Sequence, residues 1–223
     1  MTIKLPDFKK MYDYETNYHL TMDGDRMGKL LCHYEILKKC INIPGEIVEC
    51  GVFKGTSLAR FGIMRDLLGT KNTAKIIGFD VFSDKFPNTK YKEDKKIRSE
   101  WIKKAGPSSI SKTQMTTVFN KIGIKNFDII AGDITKTLPK YVKNKPELKV
   151  SLLNIDIDFV ESTYCSLKYL YPKVSKGGII LLDNYGFAHG DTLGVDKYFK
   201  DIKVKVKIQK FPFITRPCFI VKE

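Results

Sequence analysis

Five apolar runs, each closing on or beside an acidic residue, are the strongest constraint on how this chain can fold. They are Ile47-Val48-Glu49-Cys50, Lys75 to Asp80, Phe127 to Asp133, Val150 to Asp158 and Gly177 to Asp183. Helix-like segments separate them, notably 56–69, which ends at Gly69, and 162–174. Short apolar strands without polar alternation belong in a sheet buried on both faces, and interleaved helices make that sheet parallel. The tail breaks the pattern. Residues 203–210, KVKVKIQK, alternate strictly, and Cys218 to Val221 follow closely. Two late strands are expected there, one of them antiparallel at an edge. The fold class is therefore α/β: a doubly wound, mostly parallel seven-stranded sheet with an antiparallel edge strand.

Length and composition narrow the function. A chain of 223 residues with 43% hydrophobic residues can bury a full core as one domain. No apolar run reaches the roughly 18 residues that a membrane span needs, and the N-terminus lacks the apolar stretch of a secretory signal. The net charge of +14 raises nucleic acid as a partner, but only Arg26, Arg60, Arg65, Arg98 and Arg216 are arginines. Lysines spread over every segment read as solvated surface instead of a clustered nucleic-acid footprint. The cysteines Cys32, Cys40, Cys50, Cys165 and Cys218 are odd in number and form no C-x-x-C. Reduced core cysteines in a cytoplasmic protein are expected, and no zinc site.

Two regions stand outside the strand–helix rhythm. Residues 1–43 form an aromatic arm and a helix over 27–41. Residues 84–126 form a Lys-rich, lid-like insertion into the 44–223 domain, containing Ser111-Lys112-Thr113-Gln114, a capping box that opens a helix. Both are assigned to the acceptor side. Tyr12, Tyr14, Tyr18 and His19 either line an acceptor or pack. The arm also leaves a homo-oligomer open through exchange between protomers.

In an open α/β sheet, ligands bind beyond the carboxyl ends of the strands. Glu49, Asp80, Asp133, Asp156, Asp158 and Asp183-Asn184 would all gather there. Clustered carboxylates repel unless a cation compensates, so this rim on a basic chain points to a cationic ligand, a metal, or both. The first turn, Glu49-Cys50-Gly51-Val52-Phe53-Lys54-Gly55-Thr56-Ser57, is neither G-x-G-x-x-G nor a P-loop. Glu49 would oppose a pyrophosphate and suit the ammonium and sulfonium of S-adenosylmethionine. Asp80 suits ribose hydroxyls, and Gly132-Asp133 an adenine amino group, although Asp133 could also cap a helix near 134–143. Strand alternation puts Asp156 and Asp158 on one side, and Asp183 and Asn184 could join Asp156 as oxygen ligands for a hard ion.

Val48 to Ser57, Gly78-Phe79-Asp80-Val81-Phe82, and the block from Asn154 to Gly186 carry a resemblance. Asp156-Ile157-Asp158-Phe159-Val160-Glu161-Ser162-Thr163 and Leu170-Tyr171-Pro172 through Gly177-Gly178 are similar to the macrocin O-methyltransferase family over about residues 45–200. The resemblance implies a Rossmann-like class I methyltransferase that uses S-adenosylmethionine, with Mg²⁺, on a sugar hydroxyl of a nucleotide-sugar or glycosylated metabolite. It implies that Glu49, Gly51, Gly55, Thr56 and Ser57 surround the methionine end. Asp80 would hold the ribose, Gly132 and Asp133 the adenine side, and Asp156 would border both cofactor and metal. Asp156, Asp183 and Asn184 would hold the metal. The family usually has two acids at 183–184, so Asn184 drops a charge.

Methylating a sugar hydroxyl requires a base. His189 is the first candidate and Asp158 the second, with Asp156 beside them. Competing readings are a nucleic-acid methyltransferase, motivated by charge and by Asp183-Asn184-Tyr185, and a non-catalytic S-adenosylmethionine-binding or nucleotide-binding module. A hydride-transferring enzyme is disfavoured by the missing glycine fingerprint.

Overall fold

The computed structural model describes residues 2–69, 74–86 and 89–223. In chain order the elements are α1 (Met11–Thr21), α2 (Gly24–Cys40), β1 (Glu46–Cys50), α3 (Thr56–Leu68), β2 (Ile76–Asp80), α4 (Lys92–Ala105) and α5 (Lys112–Lys121). Then follow β3 (Phe127–Ala131), α6 (Ile134–Lys143), β4 (Val150–Ile155), α7 (Val160–Leu170), a 3₁₀ turn (Tyr171–Lys173), β5 (Val174–Leu182), α8 (His189–Asp201), β6 (Gln209–Lys210) and β7 (Cys218–Val221).

The seven strands form one sheet in the order β3-β2-β1-β4-β5-β7-β6. Strands β1 to β5 are mutually parallel. The chain reverses sheet direction between β1 and β4, which opens a crevice at their carboxyl ends. Strand β7 pairs antiparallel with both β5 and β6. The antiparallel strand thus lies one place in from the edge, and the edge itself is only two residues long. Of the alternating 203–210 segment, only Gln209–Lys210 joins the sheet. A short edge strand preceded by lysines presents little unpaired backbone to another chain.

The apolar strands bury because helices cover both faces. On one face Val48, Ile77, Leu153 and Ile180 meet Leu138, Leu167, Tyr198 and Phe199. On the other, Ile47, Ile76, Leu152 and Leu181 meet Ile36, Phe61, Met115 and Phe119. Each such side chain contributes roughly 1.5–3 kcal/mol when fully buried. All five cysteines are unpaired and buried, as the odd count suggested. Among the described residues no helix is long and apolar enough to cross a membrane.

The two irregular regions divide further. Both reciprocal bonds of the Ser111–Gln114 capping box are present. The helix it opens, α5, buries Met115 and Phe119 in the core, so only α4 and its flanks cover the strand ends (residues 87 and 88 lie outside the described residues). Helix α1 has no buried residue, and Tyr12 is 73% exposed. Helix α2 is the part of the first 43 residues that reaches the site. Its N-terminus is capped by Asp23, which accepts from the Arg26 N–H, and Gly28 packs against Ile214.

Candidate active site

A cavity of about 700 Å³ lies beyond the carboxyl ends of β1 to β5, between α2, α4 and residues 214–217. Of the sequence-predicted residues, Gly51, Thr56, Ser57, Asp80, Gly132, Asp156, Asp158, Asp183 and Asn184 line it. Glu49, Gly55, Asp133 and His189 are not among its lining residues.

The first turn is built by Asp80. One of its carboxylate oxygens accepts the Val52 and Phe53 N–H groups at 2.7 Å each, and the other accepts the Phe82 N–H at 3.1 Å. Phe53 and Phe82 both have positive φ, an uncommon conformation for aromatic residues that this carboxylate helps hold. Asp80 therefore fixes the loop and still faces the cavity. The two glycines of this turn pack closely against their neighbours. Gly51, at φ +96°, lies against the Asp156 carbonyl, and Gly55, at φ +85°, lies against Met115 and begins α3.

Glu49 sits beneath this turn, fully buried. One oxygen accepts from Asn154 Nδ2 at 2.8 Å, and the other, Oε2, has no hydrogen-bond partner among the described residues. Burial pushes its carboxyl up from the ordinary 4.5 to about 7; Ser57, Asn154 and the Lys29 charge oppose this only in part. Glu49 thus lies behind the cavity wall, with Ser57 lying against it and lining the wall. Because the folded pKa exceeds the unfolded one, the free protein loses stability from this group as pH rises from about 4.5 to 7. The loss is about 3 kcal/mol. Glu49→Gln is expected to remove most of it, raising the melting temperature at pH 8 more than at pH 5. Equal shifts at both pH values would contradict the assignment.

The acid cluster differs from the arrangement the sequence suggested. Asp156 and Asp158 lie in the loop after β4, which ends at Ile155, and Asp158 has φ +66°. Strand alternation therefore does not bring them together; Asn184 does. Its Nδ2 donates to Asp156 at 3.2 Å and to Asp158 at 2.9 Å. Its Oδ1 accepts from Arg216 Nη1 at 3.1 Å, and that guanidinium stacks 3.7 Å from the Phe187 ring centre. The amide orientation follows from the partners, since carboxylates only accept and guanidinium only donates. On the other side, Lys29 Nζ from α2 donates to Asp183 at 2.8 Å and to Asp156 at 3.3 Å.

This set does not fit the expected Mg²⁺ site. An ammonium lies between the two aspartates, and the Asn184 oxygen is engaged by Arg216. Among the described residues no group of three or more His, Cys, Asp or Glu could hold a metal ion. The charges order the titrations. Burial opposes the Asp183 charge, but Lys29 more than offsets this and holds the carboxyl below its ordinary value. Burial, then the Asp183 charge, drives Asp156 well up. The same two causes push Asp158 up to about 6.

The expected base, His189, begins α8 and its Nδ1 pairs with Asp94 of α4 at 2.8 Å. Asp94 is fully buried and also accepts from the Val160 N–H and the Thr89 hydroxyl. His189 thus fastens the α4 segment to the start of α7 and α8, away from the cavity wall. Asp133 turns out to cap α6, accepting from the Thr135 N–H and hydroxyl, so the neighbouring Gly132 is what faces the cavity.

Sequence reasoning missed Lys29, Asn154 and the arginines. Four of the five arginines, Arg26, Arg60, Arg98 and Arg216, line this cavity. Tyr12, Tyr14, Tyr18 and His19 do not. The scarcity of Arg among many Lys was a usable signal, read for nucleic acid and not for the cavity.

The strand order, the turn after β1 and the acid that ends β2 are those of a class I methyltransferase. The chain belongs to the macrocin O-methyltransferase (TylF) family, whose profile matches residues 12–214. It is an S-adenosylmethionine-dependent O-methyltransferase. It is 26% identical over 198 residues to demethyldecarbamoylnovobiocin O-methyltransferase of Streptomyces niveus, covering 83% of this chain and 70% of that protein. A second relative, the 8-demethyl-8-(2,3-dimethoxy-alpha-L-rhamnosyl)-tetracenomycin-C 4'-O-methyltransferase of Streptomyces olivaceus, is 26% identical over 149 residues, 64% of this chain and 54% of that one. The fold matches the O-methyltransferase NovP with a TM-score of 0.73 at 21% identity, over 87% of this chain and 79% of that one. It matches the calicheamicin methyltransferase CalS11 with a TM-score of 0.74 at 19% identity, over 96% and 86%.

Proposed function

We propose that this enzyme methylates a hydroxyl on the sugar of an anionic acceptor, a nucleoside-diphosphate sugar, in preference to a neutral glycoside. The carrying observation is the placement of four of five arginines around one cavity. Among the described residues Arg26, Arg60 and Arg98 form no ion pair, and Arg98 Nε is buried without a partner. Guanidinium forks suit diphosphate oxygens and are costly to leave unpaired. Asp23, Asp25 and Glu100 also reach the cavity, so position matters more here than net charge. A similar fold belongs to a TDP-rhamnose 3'-O-methyltransferase, which is the same chemical class of acceptor.

Residues of the first turn fit the cofactor. Thr56 and Ser57 at the N-terminus of α3 would meet the methionine end, with Glu49 beneath them compensating the ammonium. Asp80 would take the ribose, and Gly132 with Ile134 the adenine side. S-adenosylmethionine supplies the methyl group, whose bond to sulfur breaks as its bond to the acceptor oxygen forms. Asp158 accepts the hydroxyl proton, because it lines the cavity and titrates near neutrality. The segment around α4 covers the acceptor, contributing Ile97, Arg98 and Trp101. Magnesium does not fit the donor set and has no part in this reading. Five buried, unpaired cysteines support a reducing, cytoplasmic location.

The test is methyl transfer from S-adenosylmethionine to TDP-rhamnose and to a neutral methyl rhamnoside, followed by mass spectrometry. Preference for the nucleotide sugar is expected. Arg60→Ala is expected to raise KM about 10- to 100-fold, the value of a lost charged hydrogen bond, with smaller loss in kcat. Equal use of the neutral sugar, or an Arg60→Ala variant that leaves KM unchanged, would refute an anionic acceptor.

A further inference from the structure

We propose that the Lys29 ammonium, held between Asp183 and Asp156, is the resident cation of this active site, and that methyl transfer here needs no divalent metal. The inference deepens the O-methyltransferase reading and rests on it for the reaction, but not for the site.

Three observations converge. Lys29 Nζ reaches Asp183 at 2.8 Å and Asp156 at 3.3 Å, so it stands where two carboxylates would otherwise share a metal ion. Mg²⁺ requires oxygens that close to about 2.0–2.1 Å around it, and this space is taken. Second, Asn184 presents its N–H groups to Asp156 and Asp158 and its oxygen to Arg216. A third carboxylate at that position would repel its neighbours without a strong cation. The amide instead satisfies them, so the residues at 29 and 184 are matched to each other. Third, Lys29 is firmly delivered. It rides on the first turns of α2, capped by Asp23 and seated through Gly28 on Ile214. Two carboxylates at hydrogen-bond distance compensate the charge that burial would otherwise penalise.

An ammonium has three N–H donors. Asp183 and Asp156 take two, and Lys29 also lines the cavity, which leaves the third for the acceptor oxygen. A hydrogen bond from a fixed cation stabilises negative charge developing on that oxygen as Asp158 takes the proton. The charge a metal would bring is thereby built into the chain.

The test reads metal directly. The protein with S-adenosylhomocysteine is titrated with Mn²⁺ and followed by electron paramagnetic resonance. The wild-type chain is expected to leave the free-ion signal intact. The Lys29→Ala/Asn184→Asp variant vacates the space, adds a third carboxylate, and is expected to bind about one Mn²⁺ at least about tenfold more tightly. Stoichiometric Mn²⁺ on the wild type at submillimolar concentration overturns the proposal, as does a double variant that binds S-adenosylhomocysteine normally yet gains no site. If the double variant does not fold, the wild-type titration decides alone. Chelator should leave wild-type turnover within about twofold, and loss of turnover restored by Mg²⁺ also overturns it. Neither Mn²⁺ titration needs an acceptor, so an error in the acceptor class would leave them intact.

Discussion

Asp158→Asn is expected to cut kcat by about 10²- to 10⁴-fold, the usual worth of a positioned base, while S-adenosylmethionine still binds. Asp158 faces the cavity, its neighbour Asn184 donates to it at 2.9 Å, and burial followed by the Asp183 charge raises its carboxyl to about 6. A base acts only when unprotonated. Wild-type kcat/KM should therefore climb as pH rises through about 6 and level off above it, and the variant should lose that limb. His189→Gln makes the contrast. It breaks the bond to buried Asp94, so it should lower stability by about 1–3 kcal/mol and loosen the α4 segment, with chemistry largely preserved once acceptor saturates. A variant series in which His189→Gln abolishes turnover and Asp158→Asn spares it would return the role to the histidine.

The second large effect is on folding. Gly51→Ala should cost about 3–5 kcal/mol, a large share of the about 5–15 kcal/mol that holds a typical domain together. A Cβ there falls far inside the non-bonded distance to the Asp156 carbonyl, and the backbone at φ +96° disfavours any side chain. Gly51 and Asp156 directly follow the central strands β1 and β4, which are in register from Ile47↔Leu152 to Cys50↔Ile155, and their N–H groups bond the Phe79 and Cys50 carbonyls, so neither backbone segment can yield cheaply. Gly55→Ala should cost less, because its added carbon meets the flexible end of Met115 at 2.6 Å. Urea unfolding of both variants measures the difference. A Gly51→Ala protein as stable as the wild type, within about 1 kcal/mol, would show that the turn relaxes freely.

The sheet was legible because burial on two faces leaves a local mark. Ile76 to Phe79 or Ile179 to Leu182 have no other use for unbroken apolar runs. The gathering of acids beyond them was legible too, because the carboxyl ends of parallel strands share one side. What each acid does there was not. Asp133 suited a cap somewhat better than a ligand, and the cap is realised through Thr135, two residues on. Asp94 and His189 are 95 residues apart, and nothing near either announces the other. Lys29 was one lysine among many, and its place was set by the packing of α2 on the far end of the chain. Pairings over such separations are decided by topology, which periodicity does not encode. The loop after β4 shows the same limit: alternation correctly described β4 and stopped applying one residue before Asp156.

The seating of Gly28 on Ile214 has a bearing on how the protein is made. Lys29 and Arg216 close the acid cluster from positions 187 residues apart, and the segment bearing Arg216 is fixed only when Cys218–Val221 pairs with β5. Chains are synthesised from the N-terminus, so β1 to β5 can associate while residues 214–221 are still within the ribosome. Until they emerge, α2 lacks its seat on Ile214 and Asn184 lacks the Arg216 guanidinium that binds its oxygen. The scaffold of β1 to β5 can therefore assemble first, and the acid cluster becomes electrostatically complete only once the segment bearing Arg216 has joined it.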